Sequence, residues 1–270
     1  MAPMKELGIV GAGVMGAGLA RSLIHGGKLP ASDIILSDVR EDALAALADE
    51  LNVAVTGDST DAVAGARIVV LAVKPQQLEA VLHEIGRSVS PQQVLVSIAA
   101  GVPTATIREH VADDVPVLRV MPNICCTVGQ GAFAYCAPPP ATAEHAAQLE
   151  DLLGAIGKVV PVQEPLMDAV TGLSGSGPAF AALFIEALAD GGVAAGLPRQ
   201  KARTLAAQTV LGAAAMVLET EIHPSALKDI VCSPGGTTIA GVRALRKGDM
   251  QSAVMEAVLA ATEGSAELGR

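Results

Sequence analysis

Residues 7–16 read LGIVGAGVMG, a short apolar run followed at once by a glycine turn. The run Leu7–Val10 predicts a buried strand, and a GxGxxG pattern at Gly11, Gly13 and Gly16 opens a helix-forming stretch. In this context the first glycine permits a tight turn, the second lets the backbone approach a pyrophosphate, and the third lets helix and strand pack closely. Free N–H groups at such a helix start attract phosphate, so the segment predicts a dinucleotide-binding fold.

The end of the next predicted strand, Asp33–Ser37, bears on which dinucleotide is bound. Asp38 follows that strand at roughly the 20-residue spacing of the fingerprint, and it favours a free ribose 2′-hydroxyl, hence NAD(H). Arg40 instead suits a 2′-phosphate, hence NADP(H), with Ser37 adding a hydrogen bond. Arg40 is equally well explained as a solvated charge at a helix start. Both cofactors therefore stay open at this point.

Strand and helix signals alternate through residues 1–163. We predict further strands at Arg67–Val73, Val94–Ala99, Pro116–Val120 and Ala132–Tyr135, and helices at Val14–Ile24, Glu41–Leu51, Gln76–Ile85 and Thr104–Val111. Repeated βαβ units of this length predict an α/β fold with a doubly wound parallel sheet of the Rossmann type. Loops after such strands face the ligand crevice. The cofactor candidates in these loops are Ala72, Val73, Lys74, Pro75, Ala99, Ala100 and Gly101.

The pattern changes near Pro161–Pro165, beyond which we find no strand. Six helices are predicted instead, at Met167–Leu173, Pro178–Gly191, Pro198–Glu219, Pro224–Ile230, Thr237–Arg246 and Asp249–Leu268. We therefore expect a dinucleotide-binding domain at residues 1–163 and an all-α domain at residues 164–270. The chain has 3 Phe, 1 Tyr and no Trp, so we expect these helices to pack through small, alanine-rich faces. Such a thin core favours a helical domain that is completed by subunit association.

Composition and charge exclude several classes of protein. Lys and Arg total 18 and Asp and Glu total 28, and the net charge of −10 disfavours nucleic acid and membrane surfaces as partners. Apolar residues make up 51 %, which excludes a disordered chain. We expect no signal segment and no membrane span, because charge, Gly or Pro interrupts each long apolar run. The 4 cysteines and 5 histidines show no metal spacing, so we expect reduced thiols in a cytoplasmic protein without a metal site.

Two glycine runs in the second half favour an anionic substrate. Thr171–Pro178 reads TGLSGSGP and Ser233–Thr238 reads SPGGTT, and each precedes a predicted helix. We expect each run to place free N–H groups and hydroxyls at a helix N-terminus, where a carboxylate can bind. Plain helix capping would explain one such run, but two beside a dinucleotide fold favour a small anionic substrate. Ser176 lies in SGSGP rather than GxSxG and follows no strand, which argues against a serine hydrolase.

These runs belong to a set of motifs through which the chain resembles the pyrroline-5-carboxylate reductase family. The set is AVKP at Ala72–Pro75, AVTGLSGSGPAF at Ala169–Phe180, ADGGVAAGLPR at Ala189–Arg199, EIHPSALKD at Glu221–Asp229 and VCSPGGTT at Val231–Thr238. The resemblance implies a Rossmann domain followed by a helical domain that dimerises, often within higher oligomers. It also implies hydride transfer from NAD(P)H to the imine carbon of 1-pyrroline-5-carboxylate, which gives L-proline.

The resemblance further implies roles for individual residues. Backbone N–H groups of Gly236, Thr237 and Thr238 would hold the substrate carboxylate, the Thr238 hydroxyl would help protonate the imine nitrogen, and Glu221 would contact that nitrogen. The matching cofactor positions are Val10, Gly11, Ala12, Gly13, Val14, Met15, Ser37, Asp38 and Ala72–Pro75. Two positions depart from the pattern of many relatives, which carry Asn or Gln at Val14 and, in some cases, Asn at Ile230. A polar cofactor contact expected at each of these positions is therefore missing.

Other functions fit the first glycine turn alone. A β-hydroxyacid dehydrogenase needs a catalytic lysine in its glycine-rich helical motif, and Leu173–Phe180 contains none. A ketol-acid reductoisomerase needs a carboxylate cluster for magnesium, which the sequence does not indicate. A non-catalytic NAD(P)-binding regulator predicts cofactor binding without turnover and has no use for the SGSGP and SPGGTT runs. Hydride transfer to an activated imine needs alignment more than strong acid–base groups, which agrees with the lack of a conspicuous catalytic cluster.

Overall fold

A computed structural model of the chain describes residues 4–268, so Met1–Pro3, Gly269 and Arg270 lie outside the described residues. Eight strands form one sheet in the order β3-β2-β1-β4-β5-β6-β7-β8. The strands are β1 Lys5–Val10, β2 Ile34–Ser37, β3 Ala54–Thr56, β4 Ala66–Leu71, β5 Val94–Ser97, β6 Val117–Met121, β7 Gly131–Cys136 and β8 Gly157–Pro161. Neighbouring strands are parallel, except that β6 and β7 pair antiparallel. The predicted Rossmann-type sheet is confirmed, with one reversed pair that the sequence analysis did not predict.

Helices connect the strands and make up most of the second half of the chain. The α-helices are α1 Val14–His25, α2 Glu41–Leu51, α3 Ser59–Ala64, α4 Pro75–Ile85, α5 Thr104–Arg108, α6 Ala143–Gly154, α7 Met167–Val170, α8 Gly177–Ala194, α9 Arg199–Thr220, α10 Pro224–Val231, α11 Thr237–Lys247 and α12 Met250–Leu268. Short 3₁₀ segments occur at Ala31–Asp33, Gly86–Ser88, Ile124–Val128 and Glu164–Leu166, and a π-helical turn occurs at Thr171–Gly175.

Side chains of the inner strand β4 alternate between two hydrophobic cores, one on each face of the sheet. Ile68 and Val70 pack into one buried cluster, and Val69 and Leu71 pack into the other. A continuous apolar strand that is buried on both faces is typical of a parallel sheet covered by helices. The carboxyl ends of β1, β2, β4 and β5 therefore meet at one edge, which is where ligands bind in open α/β sheets.

Four elements, namely β3, α3, α6 and β8, were not predicted from the sequence. Both β3 and α3 are too short, at 3 and 6 residues, to display a clear hydrophobic period. Strand β8 begins with glycine, ends with proline and exposes most of its residues, so it lacks the apolar run of an inner strand. Helix α6 begins with a capping box between Thr142 and His145. The usual capping-box motif has Glu or Gln at the position of His145, so the motif is not recognisable in the sequence.

The chain divides into two compact units. The first contains the residues up to Ser176 together with those from Ala260 onward, and the second is Gly177–Leu259. Within the first unit, the buried Ser265 donates a 2.7 Å hydrogen bond from Oγ to Oδ1 of Asp168. Within the second unit, α8 and α9 pack through Ala189, Ala202 and Ala206. The helical half therefore has the thin, alanine-based core that the composition predicts.

One helical stretch, Glu164–Ala194, is long and apolar enough to cross a membrane, on length and composition alone. Two shorter helices, Met167–Leu173 and Pro178–Gly191, are predicted here from the sequence, with Gly175 and Gly177 between them. The backbone instead continues through these glycines in helical turns, so the apolar stretch is longer than expected. Only 6 % of its most apolar window is buried within the chain. Exposed apolar surface of this kind also occurs at subunit interfaces, and one such helix is weak support for a membrane span.

Candidate active site

The glycine turn between β1 and α1 has the shape that a bound pyrophosphate requires. Gly11 has φ +103°, and a Cβ there would lie 2.8 Å from the carbonyl carbon of Ala72. A Cβ at Gly16 would overlap the carbonyl oxygen of Gly11, whereas a Cβ at Gly13 would meet nothing within 4 Å. Gly11 and Gly16 are therefore required by packing within the protein, and Gly13 borders open space. Gly13 is also the N-cap of α1 and makes no side-chain cap, which leaves N–H groups free for phosphate.

Asp38 holds this turn in place. Its Oδ2 accepts a 2.8 Å hydrogen bond from the backbone N–H of Ala12, and its side chain is only 10 % exposed. A second hydrogen bond joins the same two segments, because the Gly11 N–H donates to the carbonyl oxygen of Ser37 at 2.8 Å. The glycine turn after β1 is thus fastened to the end of β2 at two points. Asp38 was predicted from the sequence to lie at this edge, but its hydrogen bond to Ala12 was not predicted.

Arg40 forms an ion pair with Asp38. The guanidinium donates from Nε to Oδ1 at 2.9 Å and from Nη2 to Oδ2 at 3.0 Å, and the backbone N–H of Arg40 also donates to Oδ1 at 3.0 Å. The hydrogen bonds from the Arg40 side chain hold the pKa of the Asp38 carboxyl below its ordinary value, although partial burial opposes this. Asp38 is therefore a carboxylate whose charge is balanced by its neighbour.

Ser37 has a buried hydroxyl without a hydrogen-bond partner. The residue is 1 % exposed, and its Oγ is the sole buried side-chain N or O atom in residues 4–268 that lacks a partner. A buried polar atom left unpaired costs about 1–3 kcal/mol. The hydroxyl belongs to the last residue of β2, directly before Asp38.

The two predicted loops lie at the same edge of the sheet as the glycine turn. The Ala72 N–H donates to the carbonyl oxygen of Val10, and Gly11 lies against the Ala72–Val73 peptide. Lys74 is the exposed N-cap of α4, with Pro75 in its first turn. The loop after β5 has Ala99 and Ala100 followed by Gly101 at φ +75°. The structure therefore brings all the predicted cofactor residues to the carboxyl ends of β1, β2, β4 and β5.

Three polar residues near this edge were not predicted. Glu164 accepts 2.7 Å hydrogen bonds from the N–H and the Oγ1 of Thr104, at the start of α5, and lies 3.5 Å from Nη1 of Arg119. Arg119 and Thr104 are both buried. The cluster ties the segment after Gly101 to the start of the helical half. No short motif links these residues, because Glu164 is 60 positions from Thr104.

The SGSGP run does not form the anion site predicted for it. Thr171–Gly175 is a π-helical turn, in which the Ser176 N–H donates to the carbonyl oxygen of Thr171 at 2.8 Å. The hydroxyls of Thr171 and Ser174 donate back to carbonyl oxygens of the preceding turn. The run is therefore continuous helix rather than an open N-terminus. A Cβ at Gly175 would lie 2.7 Å from Cε of Met121, so this glycine is explained by packing.

The SPGGTT run does form an open helix start. Gly235 has φ +66°, Gly236 is the N-cap of α11, and no side-chain cap occupies the helix terminus. Thr237 and Thr238 are the first two residues of this 11-residue helix. Their N–H groups and the helix dipole favour an anion at this position. The prediction for this second run therefore agrees with the local geometry.

Glu221 occupies a strained backbone conformation. It caps the C-terminus of α9 with φ 55° and ψ 21°, in the left-handed region that glycine favours. The side chain is exposed in the chain. Asn52 ends α2 in the same left-handed conformation, so the backbone at Glu221 is explained by helix termination, and the substrate role of Glu221 stays a prediction.

The remaining reactive residues form no second centre in the described part of the chain. Residues 4–268 contain no group of three or more His, Cys, Asp or Glu that could hold a metal ion. Burial raises the pKa of the Cys126 and Cys136 thiols to about 11, so neither is a nucleophile at neutral pH. Val14 and Ile230, the two departures from the family pattern, are 73 % and 71 % exposed.

Family models match the two halves of the chain separately. A model described as pyrroline-5-carboxylate reductase dimerisation matches residues 164–268. A model described as NADP oxidoreductase, coenzyme F420-dependent, matches residues 6–101. The second match covers the glycine turn, Asp38 and the loop that ends at Gly101.

Whole-length relatives give the same result. The chain is 45 % identical over 266 residues to a pyrroline-5-carboxylate reductase of Methanosarcina acetivorans, which covers 98 % of both chains. Among solved structures, the pyrroline-5-carboxylate reductase of Coxiella burnetii matches with TM-score 0.91 and 32 % identity over 99 % of both chains. The Plasmodium falciparum pyrroline carboxylate reductase, solved with NADP bound, matches with TM-score 0.86 and 31 % identity over 98 % of both chains.

Proposed function

The chain belongs to the pyrroline-5-carboxylate reductase family, and we propose that it carries out the family's reaction with the residues described above. It is an NAD(P)H-dependent oxidoreductase that reduces 1-pyrroline-5-carboxylate to L-proline, the final step of proline biosynthesis. The observation that carries this conclusion is the 45 % identity to the archaeal reductase, which spans 98 % of both chains.

The two halves have separate tasks in this proposal. Residues 1–163 bind the dinucleotide, and residues 164–270 bind the substrate and form the dimer. The N-terminus of α1 beside Gly13 would hold the pyrophosphate, because Gly13 borders open space and its helix start is uncapped. Ser37, Asp38 and Arg40 lie at the ribose end. The remaining contacts come from Val10, Gly11, Ala12, Val14, Met15, Ala72–Pro75 and Ala99–Gly101.

The substrate carboxylate binds at the start of α11. Backbone N–H groups of Gly236, Thr237 and Thr238 surround the carboxylate, and the helix dipole attracts its charge. The Gly235 backbone, at φ +66°, allows the turn that aims these groups outward. Because the carboxylate is attached directly to the small ring, holding it at a fixed point also restricts the orientation of the ring.

A bound reduced nicotinamide supplies a hydride to the imine carbon of this substrate. The residues of the chain supply orientation and one proton. The Thr238 hydroxyl donates a hydrogen bond to the ring nitrogen, and the hydroxyl or a water molecule that it orients provides the proton. Glu221 contacts the same nitrogen and favours its positive charge. No strong acid is needed, because the imine is already electrophilic and alignment lowers most of the barrier.

The chain is a dimer or a higher oligomer, as the dimerisation region indicates. We propose a homodimer or an assembly of such dimers. Large apolar side chains of the second unit are exposed in the single chain, among them Leu183 at 65 %, Leu211 at 54 % and Leu218 at 61 %. Sedimentation at micromolar concentration tests this point, and a stable monomer contradicts it. With a net charge of −10, neither nucleic acid nor a membrane surface is a proposed partner.

We also propose a cytoplasmic location. The 4 cysteines of the chain are all free thiols in the structure. Unpaired thiols are typical of reducing compartments.

An oxidation assay tests the function directly. Purified protein is mixed with 1-pyrroline-5-carboxylate and either NADH or NADPH, and the loss of nicotinamide absorbance is followed while proline is quantified. We expect oxidation that depends on the imine and yields one proline for each nicotinamide oxidised. A 3-hydroxy acid with the oxidised cofactor serves as the control for a β-hydroxyacid dehydrogenase. Cofactor binding without proline formation would indicate a regulator and refute the proposal.

A further inference from the structure

Glu164 uses both oxygens of its carboxylate to bind one distant residue, Thr104. Its Oε1 accepts a 2.7 Å hydrogen bond from the Thr104 N–H, and its Oε2 accepts a 2.7 Å hydrogen bond from the Thr104 hydroxyl. Thr104 is 4 % exposed and is the first residue of α5. Both residues belong to the first compact unit. The two bonds fix the backbone and the side chain of Thr104 at the same time.

The start of α5 depends on this carboxylate. Pro103 is the N-cap of the helix and makes no side-chain cap. Without Glu164 the buried N–H of Thr104 would be unpaired, at a cost of about 1–3 kcal/mol. Arg119, whose side chain is 9 % exposed, lies 3.5 Å from Oε1 of Glu164. This buried cation balances the charge of the carboxylate and keeps it directed at Thr104.

Thr104 directly follows the loop after β5, residues 98–103, which we call the β5 loop. The start of this loop is fixed by the sheet, because the Ile98 N–H donates to the carbonyl oxygen at the end of β4 at 3.1 Å. The chain then turns at Gly101, where φ is +75°. The end of the loop is fixed by Glu164, which lies 60 positions further along the chain than Thr104.

The β5 loop lies on the nicotinamide side of the proposed cofactor site. A doubly wound sheet binds a dinucleotide across the point where the strand order reverses, with one mononucleotide on each side. Here that point lies between β1 and β4. Asp38, proposed for the adenosine ribose, follows β2 on one side, so the nicotinamide belongs to the side of β4 and β5. Ala99, Ala100 and Gly101 have small side chains or none and leave room for a flat ring.

We propose that Glu164 is a positioning residue for the hydride transfer. Through Thr104 it holds the β5 loop where that loop supports the reduced nicotinamide, and it touches neither cofactor nor substrate itself. Hydride transfer needs the donor and acceptor carbons to be aligned, so a loosened loop lowers the rate more than it lowers substrate affinity. This inference rests on the proposed function, since it concerns the cofactor of that reaction.

Cofactor binding tests the role of Glu164 without turnover. NADH and ADP-ribose differ in the nicotinamide ring, so the ratio of their dissociation constants reports the contacts of that ring. Calorimetry gives both constants for the full-length protein. In Glu164→Gln we expect NADH to bind about five- to tenfold more weakly, because the amide has one acceptor oxygen in place of two. ADP-ribose affinity should stay within about twofold, whereas a general loss of fold would weaken both ligands.

Steady-state kinetics supplies a second readout. At saturating NADH, the kcat of Glu164→Gln for 1-pyrroline-5-carboxylate should fall about tenfold, because the ring is held less firmly against the imine. The KM for the imine should stay within about twofold, because the proposed carboxylate site at the start of α11 is unchanged. A variant that merely lost folded protein would instead lower kcat without changing the ratio of NADH to ADP-ribose affinity.

Variants of Thr104 test the path through which Glu164 acts. Thr104→Val removes the hydroxyl but keeps the N–H, and we expect a smaller loss of NADH affinity in the same direction. Thr104→Ser keeps both donors and should restore the parental ratio. In the double variant Glu164→Gln/Thr104→Val, the loss of NADH affinity should be smaller than the product of the two single losses, since both act on one contact.

Glu150→Gln is the matched control. It makes the same change in α6, at a carboxylate that accepts a hydrogen bond from the buried Tyr135 in β7. We expect this variant to keep the parental ratio of NADH to ADP-ribose affinity and the parental kcat. Thermal unfolding shows that each variant is folded at the temperature of the measurements.

The outcomes are distinct from those of the oxidation assay. A parental ratio and kcat in Glu164→Gln, or an equal loss of affinity for NADH and ADP-ribose, overturns the positioning role. Reduction of 1-pyrroline-5-carboxylate by the wild-type protein would then still stand, and the proposed function with it. If NADH affinity alone falls in Glu164→Gln but the wild-type protein reduces no imine, the role of Glu164 at the β5 loop stands and the proposed function fails.

Discussion

The backbone N–H of Ala12 donates a 2.8 Å hydrogen bond to Oδ2 of Asp38, across 26 positions of the chain. Ala12 lies inside the glycine turn that we propose holds the pyrophosphate, and Asp38 follows the neighbouring strand. The bond means that the carboxylate proposed for the ribose end also holds the backbone of the turn proposed for the pyrophosphate. Changes at Asp38 should therefore act on the whole cofactor and not on the ribose alone.

Asp38→Ala is expected to weaken binding of NADH and NADPH together, by about tenfold or more, because the Ala12 N–H loses its acceptor and the turn loosens. Fluorescence of the bound nicotinamide measures both dissociation constants. Asp33→Ala removes a charge at the opposite end of β2 and is the matched control. A loss confined to one cofactor would show that Asp38 reads the ribose rather than supports the turn.

Gly13→Ala and Gly16→Ala should have opposite signatures. A Cβ at Gly13 meets no protein atom within 4 Å, so the free energy of unfolding of Gly13→Ala should change by less than about 1 kcal/mol. Its affinity for the cofactor should fall about tenfold or more. The Gly16 Cβ overlaps the Gly11 carbonyl, so that variant should lose about 2–3 kcal/mol of unfolding free energy. Denaturant titration and cofactor binding are measured on both. Equal loss of stability in the two variants would contradict the assignment of Gly13 to the phosphate.

Thr238→Ala should lower kcat by about 10- to 100-fold with little change in NADPH affinity, because water can partly replace the hydroxyl. Thr238→Ser keeps a hydroxyl and should recover much of the rate. Thr209→Ala, which removes a hydroxyl bonded within α9, serves as the control. A wild-type kcat in Thr238→Ala would remove the hydroxyl from the proton transfer.

Glu164→Ala should reduce the free energy of unfolding by about 2–4 kcal/mol, because it leaves Arg119 buried without its partner and Thr104 without an acceptor. Glu144→Ala removes an exposed charge from α6 and should change stability by less than about 0.5 kcal/mol. Urea unfolding followed by circular dichroism compares the two. Equal stability of both variants would show that the Glu164 cluster contributes nothing to the fold.

Cys126 and Cys136 should resist thiol reagents in the native protein. Burial raises the pKa of each thiol from 9.0 to about 11, so at pH 8 only about one molecule in a thousand carries the reactive thiolate. Raising the pH from 8 towards 11 should increase their reactivity, because the folded thiols ionise in that range. A chromogenic disulfide counts reactive thiols before and after unfolding. Reaction of all four in the folded protein at pH 8 contradicts the burial.

Much of the fold could be predicted because its signals are local. The helix Glu41–Leu51 was predicted with the bounds that the structure has, since Leu44, Leu47 and Leu51 repeat on one face and are buried. The direction of β7 could not be predicted, because a run of apolar residues is the same for a parallel and an antiparallel neighbour. The π-helical turn at Thr171–Gly175 was mistaken for a helix start, because glycine and proline more often end a helix than continue one.

The same difference between local signals and long-range contacts applies to the candidate site. Local glycine patterns placed the turn at Gly11–Gly16 and the turn at Ser233–Thr238 correctly as open helix starts. The pairing of Asp38 with Ala12, and of Glu164 with Thr104, joins residues that are far apart in sequence and lie in no motif. Such contacts depend on where the sheet brings the chain together, so they are visible only in the folded protein.

The hydrogen bond between Ser265 and Asp168 belongs to a compact unit that is assembled from two separate parts of the chain. A protein made from its N-terminus on the ribosome cannot finish this unit while residues 260–268 are still inside the exit tunnel. The last turns of α12 therefore complete a unit whose other residues, up to Ser176, are all translated earlier. A truncation before Ser265 would remove the donor to Asp168 and act on a unit most of which precedes it in the chain.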